Sequence, residues 1–99
     1  MRQVILTSNR NFDRGSKEFF PARDDHELIG SLIQAASICG DNYSIYELHS
    51  KQEADDLEVT CQQFPAYLLP NGDVLYTADE VYQYLSSNHT GDYTIEIVD

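Results

Sequence analysis

Two apolar runs, at 64–69 and 73–76, are separated by Pro70-Asn71-Gly72 and followed at once by Thr77-Ala78-Asp79-Glu80. Asparagine and glycine accept the positive φ that a tight turn demands, so Asn-Gly between apolar runs signals a β-hairpin. Thr-x-x-Glu is a capping box, in which each side chain satisfies a backbone N–H that the first helical turn leaves without a partner. Strand, turn, strand and helix in immediate succession leave little room for an all-helical or all-β chain. The fold class they predict is mixed α/β.

The flanking segments fill in the remaining elements. Residues 3–7 carry Val4, Ile5 and Leu6 and form a buried strand. The stretch 8–23 is rich in Asn, Arg, Asp, Gly and Ser and is expected to be a long basic loop, anchored by Phe12, Phe19 and Phe20. Loops beyond ~12–15 residues are often functional. Asp24 or Asp25 caps a first helix whose apolar stripe is Leu28, Ile29, Leu32, Ile33, Ala36 and Ile38. Gly40 stops that helix, because glycine takes the left-handed conformation without a Cβ penalty. Gly30, inside it, costs about 1 kcal/mol relative to alanine, for which a close packing contact would compensate. A second strand is expected over 43–49. Ser50-Lys51-Gln52-Glu53 is a further capping box, opening a weaker helix over 51–61 with Ala54, Leu57 and Cys61 inside. The helix after Thr77 buries Val81, Tyr82, Tyr84 and Leu85, and 93–98 alternates like an edge strand.

Ninety-nine residues make one domain, 1–99, able to bury somewhat over ~60% of its unfolded surface without staples. Cys39 and Cys61 are too few for a disulfide framework and suit a reducing compartment. No apolar run approaches the ~18 residues of a membrane span, so a soluble, cytoplasmic protein is expected. Charge is the informative quantity. Seventeen carboxylates oppose six Lys/Arg, for a net −11. From Asp24 onward, fifteen carboxylates face only Lys51, a local net of −14, while Arg2, Arg10, Arg14, Lys17 and Arg23 crowd the start. Such a field repels nucleic acid and anionic membranes and attracts basic partners; its bland counterpart is a solubilising surface.

The order β-α-β-α-β-β-α, and above all Phe64-Pro65-Ala66-Tyr67-Leu68-Leu69-Pro70-Asn71-Gly72-Asp73-Val74-Leu75-Tyr76 leading into Thr77-Ala78-Asp79-Glu80-Val81, resembles the glutaredoxin and thioredoxin family. The resemblance implies a thioredoxin-like domain with an extra C-terminal strand, and makes Pro65 a cis-proline. It also implies a Cys-x-x-Cys or Cys-x-x-Ser pair before the first helix, where the helix N-terminus lowers a thiol pKa. Residues 8–25 contain no cysteine, and Tyr76 and Thr77 stand where the family's glycine pair admits a glutathione carboxylate. No catalytic residue, cofactor or metal is therefore expected: His26, His49 and His89 match no metal-ligand spacing, and Asp55/Asp56 and Asp79/Glu80 come with no nucleophile.

In size and charge the chain also resembles the small acidic DNA-mimic proteins with which bacteriophages take over a host, such as those that inhibit the nucleoid protein HU. That resemblance implies a non-enzymatic inhibitor that occupies the DNA-binding surface of a basic host protein in the bacterial cytoplasm. Its contact set would be Glu53, Asp55, Asp56, Glu58, Asp73, Asp79 and Glu80, with Asp24, Asp25 and Glu27 as a second cluster. Two other readings stand beside it. One is a divergent glutaredoxin-like thiol or glutathione-dependent protein using Cys61 near Pro65. The other is an adaptor that forms a homodimer through strand 93–98.

Overall fold

The computed structural model describes residues 2–88 and 91–99. Its elements are β1 (Arg2–Ser8), β2 (Lys17–Ala22), α1 (Asp25–Ile38), β3 (Tyr46–Leu48), α2 (Lys51–Asp56), β4 (Ala66–Leu68), β5 (Val74–Leu75), α3 (Ala78–Asn88) and β6 (Tyr93–Val98). They form two antiparallel three-stranded sheets, ordered β2-β1-β6 and β3-β4-β5. The fold is mixed α/β, and β1 and β3 lie in different sheets. The Phe64–Pro65 bond is cis.

One expectation is overturned outright. The stretch 8–23 is not a long loop, because its second half is β2, paired with β1 from Arg2↔Ala22 to Thr7↔Lys17. Pro21 and the two adjacent phenylalanines obscure the alternation, but the register explains them. Ser8 donates to Ser16 and accepts from Gly15, so alternate β1 residues back to Arg2 turn their amides toward β2. Their partners Glu18, Phe20 and Ala22 point amides inward, while Lys17, Phe19 and Pro21 point theirs outward. A proline is tolerated there because an edge position needs no N–H.

The first sheet lays Val4, Leu6, Phe20 and Ala22 on α1, whose Leu28, Ile29, Leu32, Ala35 and Ala36 are fully buried. From α3, Val81 and Leu85 join the same core. Ile38, expected on this stripe, is half exposed. A smaller core gathers Leu48, Ala54 and Ala66 with Val59, Cys61, Leu68 and Val74. Strand alternation makes β4 serve both: Ala66 faces the small core and Tyr67 the large one.

Both longer-range helix stops use one device. After α1, Gly40 sits at φ +91°, with Gly40 N–H donating to Ser37 and Asp41 N–H to Ala36. After α2, Glu58 N–H donates to Asp55 and Val59 N–H to Ala54, which is the same Schellman pattern, but the left-handed residue is Glu58 at φ +58°. The second helix therefore ends at Asp56, five residues before the expected boundary at Cys61. Asp55 and Asp56 at its C-terminal end oppose the helix dipole, which favours the early stop. Strands 43–49, 64–69 and 73–76 shorten to their central residues. Gly72, at φ +95°, donates its N–H to Leu69 and closes the expected hairpin turn.

Nothing lies within 4 Å of a Cβ built on Gly30, so the close contact expected there is absent. Gly30→Ala should then stabilise the fold by about 1 kcal/mol through helix propensity, raising Tm by roughly 4–8 °C in calorimetry. Glu58→Gly, which relieves a left-handed L-residue, should stabilise by a similar amount, about 1 kcal/mol.

Candidate partner-binding face

The helix N-termini carry most of the predicted acidic residues, and each is placed by its own backbone chemistry. Asp24 caps α1, its Oδ1 accepting from Glu27 N–H at 2.8 Å. Glu27 is held by Arg23 at 2.7 Å. Glu80 Oε1 accepts from Tyr76 N–H, Thr77 N–H and the Thr77 hydroxyl, while Thr77 Oγ1 accepts from Glu80 N–H. This is the expected reciprocal box. Around α2 the box is shifted: Ser50 Oγ accepts from Glu53 N–H, but Glu53 reaches past Ser50 to His49 N–H at 2.9 Å.

Tertiary contacts join these ends. Asp25 Oδ2 accepts from Ala78 N–H at 3.1 Å, so the first residue of α1 caps α3. The Arg2 guanidinium lies between Asp25 (3.7 Å), Asp79 (3.3 Å) and Asp99 (3.2 Å), gathering the starts of β1, α1 and α3 and the end of β6. From α1, His26 Nδ1 approaches Glu47 Oε1 at 2.7 Å, and His49 Nε2 approaches Glu47 Oε2 at 3.5 Å. Lys51 then pairs with Asp55, and Gln52 donates to Asp56, both at 3.1 Å. One set of polar contacts thus joins Asp99, Asp79 and Asp25 through Arg2, and a second joins His26, Glu47, His49 and Glu53; the adjacency of Asp25 and His26 in α1 makes them one chain, with Asp55 and Asp56 on the following helix.

Eight of the ten predicted residues therefore lie on or beside this chain: Asp24, Asp25, Glu27, Glu53, Asp55, Asp56, Asp79 and Glu80. Two stand apart. Asp73 belongs to the β4–β5 turn, where Asn71 holds it, and meets Glu80 only across a shallow groove beside α3. Glu58 occupies the left-handed turn after α2 and makes no ion pair among the described residues. The members that sequence reasoning missed are Arg2, His26, Glu47, His49 and Asp99. No spacing announces them, since Arg2 and Asp79 are 77 residues apart.

Beneath the chain, the Tyr67 hydroxyl lies 3.2 Å from His26 Nδ1 and donates to Glu47 at 3.5 Å. Burial, reinforced by the Glu47 charge, pushes its pKa up to about 12. The basic segment splits its roles. Arg23 neutralises the acidic face, whereas Arg10 folds back on Asp13 at 2.7 Å and stacks over Phe12 at 5.0 Å. Bonds from Ser8 and Arg10 hold the Asp13 carboxyl below its usual range. Arg14 and Lys17 make no ion pair among the described residues.

The two thiols are free. Cys39 is the C-cap of α1, the negative end of the helix, and burial pushes its thiol up, the reverse of activation. Cys61 packs against the small core. Among the described residues, no group of three or more His, Cys, Asp or Glu is arranged to hold a metal ion; His89 lies outside the described residues. No described helix is long and apolar enough to cross a membrane. No family model matches the chain, no curated protein is significantly similar to it in sequence, and no solved structure matches its fold.

Tyr67 makes stability fall at high pH. Below its ordinary value near 10, folded and unfolded chains both hold the phenolic proton and stability is fully present. Between pH 10 and about 12 the unfolded chain releases that proton while the fold retains it, so folding weakens. Tyr67→Phe should unfold less steeply with pH across this window in denaturant titrations. An unchanged slope would remove Tyr67 from the account.

Proposed function

We propose that this chain is a non-enzymatic binding protein whose acidic face occupies the nucleic-acid-binding surface of a basic DNA-binding protein. One observation carries the reading. The carboxylates at the starts of α1, α2 and α3 are held by capping bonds and by Arg2, so they meet a partner as an ordered array. A partner that recognises rows of phosphates gains attraction from such an array without first ordering long side chains. Arg2, Arg23 and Lys51 neutralise part of the charge, but the exposed Asp24, Asp56 and Glu58 are left outside those pairs.

The corresponding biological setting is a bacteriophage-encoded protein acting in the host cytoplasm, with a nucleoid protein of the HU type as partner. A thioredoxin-like ancestry goes with this proposal, supported by the order β3-α2-β4-β5-α3 and by the Asn71-Gly72 hairpin that leads into α3. The same scaffold carrying no thiol at the start of α1 fits reuse for binding, since fold does not dictate function. The thiol-dependent reading has no such support, because Cys61, the thiol it would use, packs against the small core and lies at no helix start.

Purified HU bound to a fluorescent DNA duplex provides the test. Addition of the protein should release the duplex, and raising the salt should weaken that competition steeply. Reversing Asp55, Asp56 and Glu58 to lysine leaves every capping bond intact and should reduce competition at least tenfold. Undiminished competition by that variant would exclude the α2 end from the contact. No competition by the wild type would exclude an HU-type partner.

A further inference from the structure

Four strand edges face outward, and three are blunted. β3 and β5 are only three and two residues long, and the edge of β2 presents Lys17 and the N–H-less Pro21; short strands, lysine and proline are the usual protections of an edge. β6 is six residues long and has neither lysine nor proline. Its register settles where its amides point. Since alternate β1 residues from Ser8 back to Arg2 bond to β2, Thr7 and Ile5 bond to β6, and their partners Thr94 and Glu96 turn inward. Ile95 and Ile97 therefore direct N–H and C=O away from the sheet. The Ile95 carbonyl accepts from the Tyr82 hydroxyl of α3 at 2.8 Å. The Ile95 N–H and both groups of Ile97 have no protein partner among the described residues.

Beside this edge runs a groove of ≈ 340 Å³, lined by Leu32, Tyr82 and Leu85 on the helix side and by residues 93–96 on the strand side. A strand laid against β6 would set alternate side chains beside Ile95 and Tyr82, which are partly exposed, with the others on the sheet's outer face, where Glu96 stands opposite Ile5. The charge of the surroundings selects among occupants. Among the described residues, Glu96 is the one charged residue lining the groove, and no lysine or arginine joins it there. A second copy would bring another −11 and a second Glu96 to the same edge, and like charges across paired strands are destabilising.

We propose that the groove between β6 and α3 binds an extended peptide segment of alternating apolar and basic residues, which adds to the β2-β1-β6 sheet as a fourth strand. Main-chain bonds to Ile95 and Ile97 supply the pairing, the apolar lining takes every second side chain, and Glu96 on the outer face selects lysine or arginine at the others. The site uses residues that the acidic face does not, and stands or falls separately from it.

The capped peptide Lys-Val-Lys-Val-Lys-Val-Lys, titrated into the isotope-labelled full chain and followed by NMR, is the probe. Saturable shifts at Ile95, Ile97, Tyr82 and Leu85, with slowed hydrogen exchange of the Ile95 and Ile97 amides, are expected. The matching Glu-Val peptide should produce neither. Ile97→Pro removes an outward N–H without breaking a bond to β1 and should weaken the lysine peptide at least tenfold. Because that change also trims packing, Glu96→Lys, at an exposed position, gives a second measure and should weaken it several-fold. Shifts confined to the α1 and α2 carboxylates, with the β6 amides unmoved, would overturn the assignment. So would a wild-type dimer in sedimentation that Ile97→Pro dissociates, since a second copy would then own the edge.

Discussion

Everything in this molecule leans on helix α1, which is apolar on more than one side. Its Leu28, Ile29 and Leu32 are buried to 1% exposure or less, between the β2-β1-β6 sheet and α3. Full burial of each such side chain is worth roughly 1.5–3 kcal/mol. The exposed ion pairs of the acidic face are worth about 0–1 kcal/mol each. The face is thus positioned by the core rather than holding it together. Because α1 is fixed from both sides, its first turn is fixed too, and the carboxylates of Asp24, Asp25 and Glu27 are carried with it.

The second sheet is a smaller body, joined to the first through β4. Tyr67 reaches from β4 into the main core, and its hydroxyl meets His26 and Glu47, so one side chain ties α1, β3 and β4 together. Where a polar tip is buried beside a carboxylate, the neutral phenol is favoured, and the link survives until strongly alkaline pH. Placing the junction directly below the row of carboxylates keeps the α1 and α2 ends of that row in register with each other.

Negative charge at helix starts serves folding. A carboxylate there satisfies N–H groups and meets the positive end of the helix dipole, so Asp24, Glu53 and Glu80 would be favoured without any partner. Asp55, Asp56 and Glu58 are different. They sit at the end of α2, where the dipole opposes them, and Glu58 also takes a left-handed conformation that L-residues avoid.

Local chemistry was legible in the residues themselves. Asp24, Ser50 and Thr77 as caps, Gly40 as a stop, the Asn71-Gly72 turn and the span of β6 all follow from steric and hydrogen-bonding rules that act within a few residues. The failures have the same origin. β2 was masked because Pro21 reads as a breaker until the outward edge position is known, and the end of α2 was missed because its left-handed residue is glutamate rather than glycine. Pairing across the chain lies beyond any local rule. That β1 takes β2 and β6 as neighbours, that Arg2 meets Asp25, Asp79 and Asp99, and that His26 reaches Glu47 depend on how the sheets pack on α1. Capping and turn energies are set by neighbours along the chain, whereas these contacts are set by burial, which only the assembled core can arrange.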